Sequence, residues 1–139
     1  MDGAIKNARR IPIRWGTYST TQTSIQIRNA HHRHARFYLD VTGASGTGGL
    51  TLAVRGYSWN GIVPTIHGES YGNPGVILTA PAAIAATGVF IYELLPVAQA
   101  AHGAVQLAIA ETLPVYWDVQ VQHADASNYS YAVSVDLIH

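Results

Sequence analysis

The sequence predicts an all-β fold: one antiparallel β-sandwich, jelly-roll or immunoglobulin-like, with seven or eight strands behind an extended N-terminal arm. Three observations carry that reading. Val115, Trp117, Val119 and Val121 alternate with Tyr116, Asp118, Gln120 and Gln122, and Tyr129, Tyr131, Val133, Val135 and Leu137 alternate in the same way further on. A period of two over so many residues gives each strand one apolar face. A second alternating pair, 35–42 and 50–57, lies earlier, and turn-forming residues separate the apolar runs at short intervals. That spacing favours a sandwich over an α/β fold.

Taken in order, residues 1–16 form the arm and 17–139 the sandwich domain. Trp15, with Ile11 and Ile13 alternating before it, predicts an arm that docks on a surface, because free tails rarely keep such residues. Lys6, Arg9, Arg10, Ile11, Ile13, Arg14 and Trp15 are therefore candidate partner-binding residues. Thr17–Arg28 reads as a strand with Ile25 and Ile27 on its inner face, and 29–34 breaks the pattern. Phe37, Leu39 and Val41 then face inward on a strand that turns through the glycine-rich stretch 43–49 into Leu50, Leu52 and Val54, a predicted hairpin. Residues 58–74 hold the densest run of turn formers and read as a surface loop. Two strands follow, at 76–79 and 87–95. In the second, Val89, Ile91 and Glu93 oppose Phe90, Tyr92 and Leu94, so both faces carry apolar side chains. Such a strand is covered on both sides or lies at a subunit contact; Phe90, Tyr92 and Trp59 are the candidate interface residues. Pro96 to Glu111, rich in alanine, predicts a short helix or a crossover loop. The chain closes with a hairpin, 115–122 with 129–137, turning through 123–128.

Composition narrows the function. A chain of 139 residues makes one domain that needs neither metal nor disulfide to bury a core, and it has no cysteine. No apolar run reaches the length of a membrane span and the N-terminus carries no secretory pattern, so a soluble protein made in the cytoplasm is expected. Only 12% of residues are charged, about half the usual share. Either Thr, Ser, Gln and Asn cover the surface, or much of it is buried against copies of itself or a partner. Residues 1–40 hold seven cations against two acids, a net +5; residues 41–139 hold one against six, a net −5. This suggests a basic arm laid on an acidic neighbour. The cations are too scattered to predict nucleic-acid binding.

Chemistry finds little support. His31, His32 and His34 crowd together, but in an extended segment only His32 and His34 share a face, and Arg33 and Arg36 add charge that disfavours a metal. A solvated or interface segment that gains charge below about pH 6.5 suits them better. The glycines at 43–49 lie between strands rather than before a helix, so they make a turn and not a phosphate cradle. Asp118 and Asp136 fall on outward rows of the last two strands; they read as solubilising groups or partners of Arg36 or Arg55 rather than as a catalytic pair. Trp59 beside Asn60 and Gly61 is the one aromatic expected to be exposed for stacking. No catalytic residue, metal or cofactor is expected.

Three segments together resemble small β-rich virion proteins of tailed bacteriophages. They are Ala35–Thr42 with the glycines 46–49, then Ala86–Leu94, then Leu113–Tyr131, in which Leu113, Pro114, Trp117, Val119, Val121 and His123 match a Leu-Pro-x-x-Trp-x-Val-x-Val-x-His strand before a tyrosine-containing last strand. The likeness spans roughly residues 29–138 and rests on structural positions. It implies a virion structural role, best a capsid decoration or cement protein, commonly a homotrimer, on the head surface and in the host cytoplasm during assembly. Its partners would be the major capsid protein or other virion proteins. A tail, connector or head-fibre component and a carbohydrate-binding sandwich for host attachment are the alternatives; no enzyme, no membrane and no nucleic acid is implied.

Overall fold

A computed structural model describes residues 8–29, 32–57, 74–97 and 105–138. In these the chain forms ten strands and no helix: β1 (Ala8–Tyr18), β2 (Gln22–Thr23), β3 (Ile27–Arg28), β4 (His34–Ala44), β5 (Leu50–Tyr57), β6 (Pro74–Thr79), β7 (Gly88–Leu95), β8 (Val105–Ala110), β9 (Tyr116–His123) and β10 (Tyr129–Ile138). The first sheet has the order β1-β10-β4-β7-β8; the second runs β2-β9-β5-β6, with β3 also paired to β9. Every pairing is antiparallel except that of β7 with β8.

The alternating residues meet between the sheets. Phe37, Leu39, Tyr92, Leu94, Tyr129, Tyr131, Val133, Val135 and Leu137 come from the first sheet, and Leu50, Leu52, Val54, Leu78, Trp117, Val119 and Val121 from the second; all are buried in one cluster. Trp117, wholly buried, meets the edge of Phe37 at 5.7 Å with the rings 83° apart. That geometry adds about 0.5–1.5 kcal/mol to the burial of the two rings. The sandwich expected from the sequence is therefore present.

Four expectations change. The two predicted hairpins are absent as hairpins: β4 and β5 lie in different sheets, and so do β9 and β10. Each pair is an arch that crosses from one sheet to the other, so its two apolar rows face each other instead of lying side by side. The crossing loops brace one another. The Asp125 carboxylate accepts the Gly48 N–H at 2.7 Å and the Ser127 N–H at 3.0 Å, while the Tyr129 hydroxyl accepts the Gly49 N–H at 2.9 Å. Second, residues 8–16 are not an arm outside the sandwich. They belong to β1, which pairs with β10 from Ala8↔Ile138 to Tyr18↔Tyr129 and places Ile11 and Ile13 against the core. Third, 17–28 holds only the end of β1 and two dipeptide strands; Ile27 packs on the core, but Ile25 is 82% exposed. Fourth, 105–110 is a strand, since Val105, Leu107 and Ile109 alternate with Gln106, Ala108 and Ala110; the remainder of the helix or loop expected at 96–111 lies partly outside the described residues.

Candidate functional site

β1 and the segment 24–28 are the edges of their respective sheets and lie on the same side of the sandwich, where a groove opens between them. Its walls follow from two local irregularities. In β1 the pairing skips from Pro12↔Ser134 to Arg14↔Val133, a bulge that leaves Ile13 without a partner across the ladder. On the opposite wall the chain leaves β9 after Thr23↔Gln120 and rejoins it at Ile27↔Trp117, so Ser24, Ile25 and Gln26 oppose only Asp118 and Val119. Ser24 holds the detour in place: its N–H donates to the Val119 carbonyl at 2.8 Å and its hydroxyl accepts the Val119 N–H at 3.0 Å.

The resulting groove has a volume of about 330 Å³ and is lined by Ile11, Pro12, Ile13, Ser24, Ile25, Gln26, Ile27 and Arg28. Its lining is mainly aliphatic and contains no acid. The amide nitrogen and oxygen of Gln26 are buried and meet no hydrogen-bond partner among the described residues. A buried amide left in that state costs about 1–3 kcal/mol, a cost that a peptide-like donor and acceptor would relieve. Arg28 lies exposed at one end. Arg14 is close by, held to Gln22 Oε1 through Nη2 at 2.6 Å and lying over the Tyr18 ring at 5.4 Å. Pro12 and the bulge interrupt the free edge of β1, which guards against indiscriminate strand addition.

The arm residues expected to bind a partner are thus separated by their directions. Ile11 and Ile13 line the groove. Arg10 and Trp15 point to the outer face of the first sheet, Arg10 in a two-pronged pair with Asp136 at 2.6 and 2.8 Å and Trp15 67% exposed. Arg10 holds the Asp136 carboxyl below the usual carboxylate range. Arg9 lies in β1, and Lys6 lies outside the described residues. Of the expected interface residues, Tyr92 is 0% exposed in the core and Phe90 packs half-buried against it. The pleat turns them inward; Val89 and Ile91 are the residues of β7 that face out. Trp59 lies outside the described residues.

Two further groups are candidates for chemistry in the sequence, the pair Asp118 and Asp136 and the histidines at 31–34. Asp118 and Asp136 are on opposite outer faces and do not meet. Asp118, 1% exposed, is gripped by Arg55 through Nε at 2.8 Å and Nη2 at 2.7 Å and accepts the Tyr57 hydroxyl. His34 Nε2 lies 2.8 Å from Glu93 Oε2, which Arg36 also approaches at 3.3 Å. His31 lies outside the described residues, and among those described no group of three His, Asp or Glu side chains converges as a metal site would require. Gln26, Ser24 and Arg28 carried no signal of their own in the sequence; only the unequal alignment of 24–26 with β9 brings them to the groove. Comparison with known proteins finds no matching family, no matching curated protein and no matching solved structure.

Proposed function

We propose that the protein is a non-enzymatic structural component of a tailed-phage virion, a decoration or cement protein that binds the assembled head and ties neighbouring capsid subunits together. The groove between β1 and 24–28 is the observation that carries this reading: it is aliphatic, free of acids and rimmed by arginine, with an unsatisfied amide in its wall. Those features suit an extended segment of the shell protein with aliphatic side chains and an acidic residue for Arg28. The sequence likeness to phage virion proteins supplies the setting. A partner that binds only the assembled shell stabilises it by mass action, the work a cement protein does.

Deleting residues 1–16 would remove most of β1 and expose the core, so the test uses a point change in the exposed wall of the groove. Purified protein is mixed with decoration-free heads of the cognate phage and sedimented, alongside Ile25→Asp. We expect the wild type to pellet with heads, and Ile25→Asp to stay in solution with unchanged circular dichroism. Wild-type protein that ignores heads would overturn the decoration reading; equal binding by Ile25→Asp would overturn the role of the groove.

A further inference from the structure

The groove between β1 and 24–28 has an arginine at each end and one unpaired polar group between them. Arg14 follows Ile13 and Gln22 precedes Ser24, and Arg14 Nε and Nη2 reach Gln22 Oε1 at 3.2 and 2.6 Å, so this pair bridges the two walls at one end. Arg28 stands exposed at the other. Neither arginine forms an ion pair with a carboxylate among the described residues. Ile11, Ile13, Ile25 and Ile27 lie between the ends, and no aromatic ring lines the groove. The Ser24 hydroxyl is already engaged, donating to the Ile25 carbonyl at 2.9 Å and accepting the Val119 N–H at 3.0 Å. That leaves Gln26, whose buried amide has both a donor and an acceptor without partners.

We propose that the groove takes an extended polypeptide segment with an acid at each end and aliphatic side chains between, and that Gln26 pairs with the N–H and C=O of a single residue of that segment. A primary amide holds its oxygen and one N–H side by side. One residue of an extended chain turns its own N–H and C=O toward the same neighbour, as in the hydrogen-bonded pairs of an antiparallel ladder. The two groups fit as a ring of two hydrogen bonds. Other classes of ligand fit less well. A hydrocarbon chain would leave the amide as unpaired as it is now. A sugar would find no ring to stack on. A nucleic-acid strand would lay phosphates against the isoleucines between the two arginines.

Strand addition ordinarily runs through a ladder of main-chain bonds. Here neither wall offers an unbroken one, because Pro12 and the bulge interrupt β1 and the segment 24–26 departs from its register on β9. The Gln26 amide supplies the main-chain contact that the walls lack, and it excludes proline from the residue it meets. Gln22 to Arg28 covers seven positions, so an extended segment that joins the two arginines has about seven residues. Exposed ion pairs add little affinity, so the arginines decide which segment docks more than how tightly it is held. Like the decoration reading, this assignment rests on the groove as a docking site, but it is tested without capsids.

The probe is the acetylated and amidated peptide Glu-Ser-Val-Thr-Val-Ser-Glu, titrated into the isotope-labelled full chain and followed by amide NMR shifts. We expect saturable shifts at 11–14 and 22–28, with a Kd of about 0.1–1 mM. Methylating the backbone nitrogen of one of the three central residues is expected to weaken binding about three- to ten-fold, the loss of one neutral hydrogen bond. Gln26→Met removes the unpaired amide, so it should melt at or above the wild-type temperature, bind the parent peptide more weakly, and no longer distinguish the methylated peptides. A peptide with lysine in place of both glutamates should not bind. No shifts at the groove would overturn the peptide assignment, and heads that still carry the wild type down would leave the decoration reading standing. Peptide binding by a protein that ignores heads would do the reverse. Gln26→Met binding every peptide as the wild type does would overturn the role of the amide, and equal binding of the lysine peptide that of the arginines. Binding that appears only after removal of residues 1–7 would give the groove to the chain's own N-terminus instead of a partner.

Discussion

At the scale of the residue, the strongest single commitment in the fold is Asp118. It sits on the outer face of its sheet, yet only 1% of it is exposed, because Arg55 and Tyr57 from the neighbouring strand close over it. The register places Arg55 directly across from Asp118, so the guanidinium reaches both carboxylate oxygens without distortion. Removing one partner of such a pair leaves a charge that water reaches poorly. Arg55→Ala is therefore expected to lower the unfolding free energy by about 3–5 kcal/mol, and the double change Arg55→Ala with Asp118→Ala to cost distinctly less. Urea unfolding of the three proteins checks this; a loss under about 1 kcal/mol for Arg55→Ala would show that water already serves the carboxylate. The sequence allowed Asp118 either Arg36 or Arg55 as a partner. Nothing in it could choose, since the choice depends on which strand lies alongside β9.

That strand alignment is the element-scale problem, and it marks where legibility ended. The alternation of Phe37, Leu39 and Val41, and of Tyr129 through Leu137, showed strands and their inward faces correctly, because burial of one face imposes a period of two whatever the strand pairs with. Hairpin and arch share that period. They differ in where the loop sends the chain, and here the loops are held by contacts distant in sequence, such as Gly48 with Asp125 and Gly49 with Tyr129. Gly49 shows how tightly. Its φ is +87°, and a Cβ there would sit 3.0 Å from the Ile84 carbonyl oxygen, in the bridge that joins Leu50 to Ile84. Gly49→Ala should cost about 1–3 kcal/mol, from the disfavoured backbone region and the crowding together. Thermal unfolding measures it directly. By contrast, Gly75→Ala, where an added Cβ meets nothing within 4 Å, is expected to stay near wild type; equal losses at both sites would mean that the Gly49 turn tolerates a side chain.

At the scale of the whole molecule, the candidate site was half legible. Ile11 and Ile13 stood out as residues a free tail would not keep, and they do line the groove. The other wall was hidden because Gln26 and Arg28 become wall residues only when an irregular strand is laid beside an edge strand of the other sheet. The same joining of sheets governs the response to acid. His123 on β9 reaches across to β10, with Nε2 3.0 Å from the Tyr131 hydroxyl and its ring against Tyr129 and Tyr131. Burial lowers its pKa below the ordinary 6.5, opposed only in part by nearby Asp125. The unfolded chain therefore takes up a proton at a higher pH than the folded one. The stability His123 contributes is complete above about pH 6.5 and falls as acid is added, by at most about 1.4 kcal/mol per pH unit for one proton. A second loss follows at lower pH, because Asp136 beside Arg10, and Asp125 beneath the Ser127 and Gly48 N–H groups, ionise below the ordinary 3.8 and must be protonated for their bonds to fail. Unfolding free energies should thus decline in two steps, the first setting in as the pH falls below about 6.5 and the second as it falls below the ordinary carboxylate range. His123→Gln should flatten the first step and leave the second in place. A first step of equal size in that variant would assign it to the other histidines, and the link between the two sheets at His123 would then carry no proton-sensitive part of the stability.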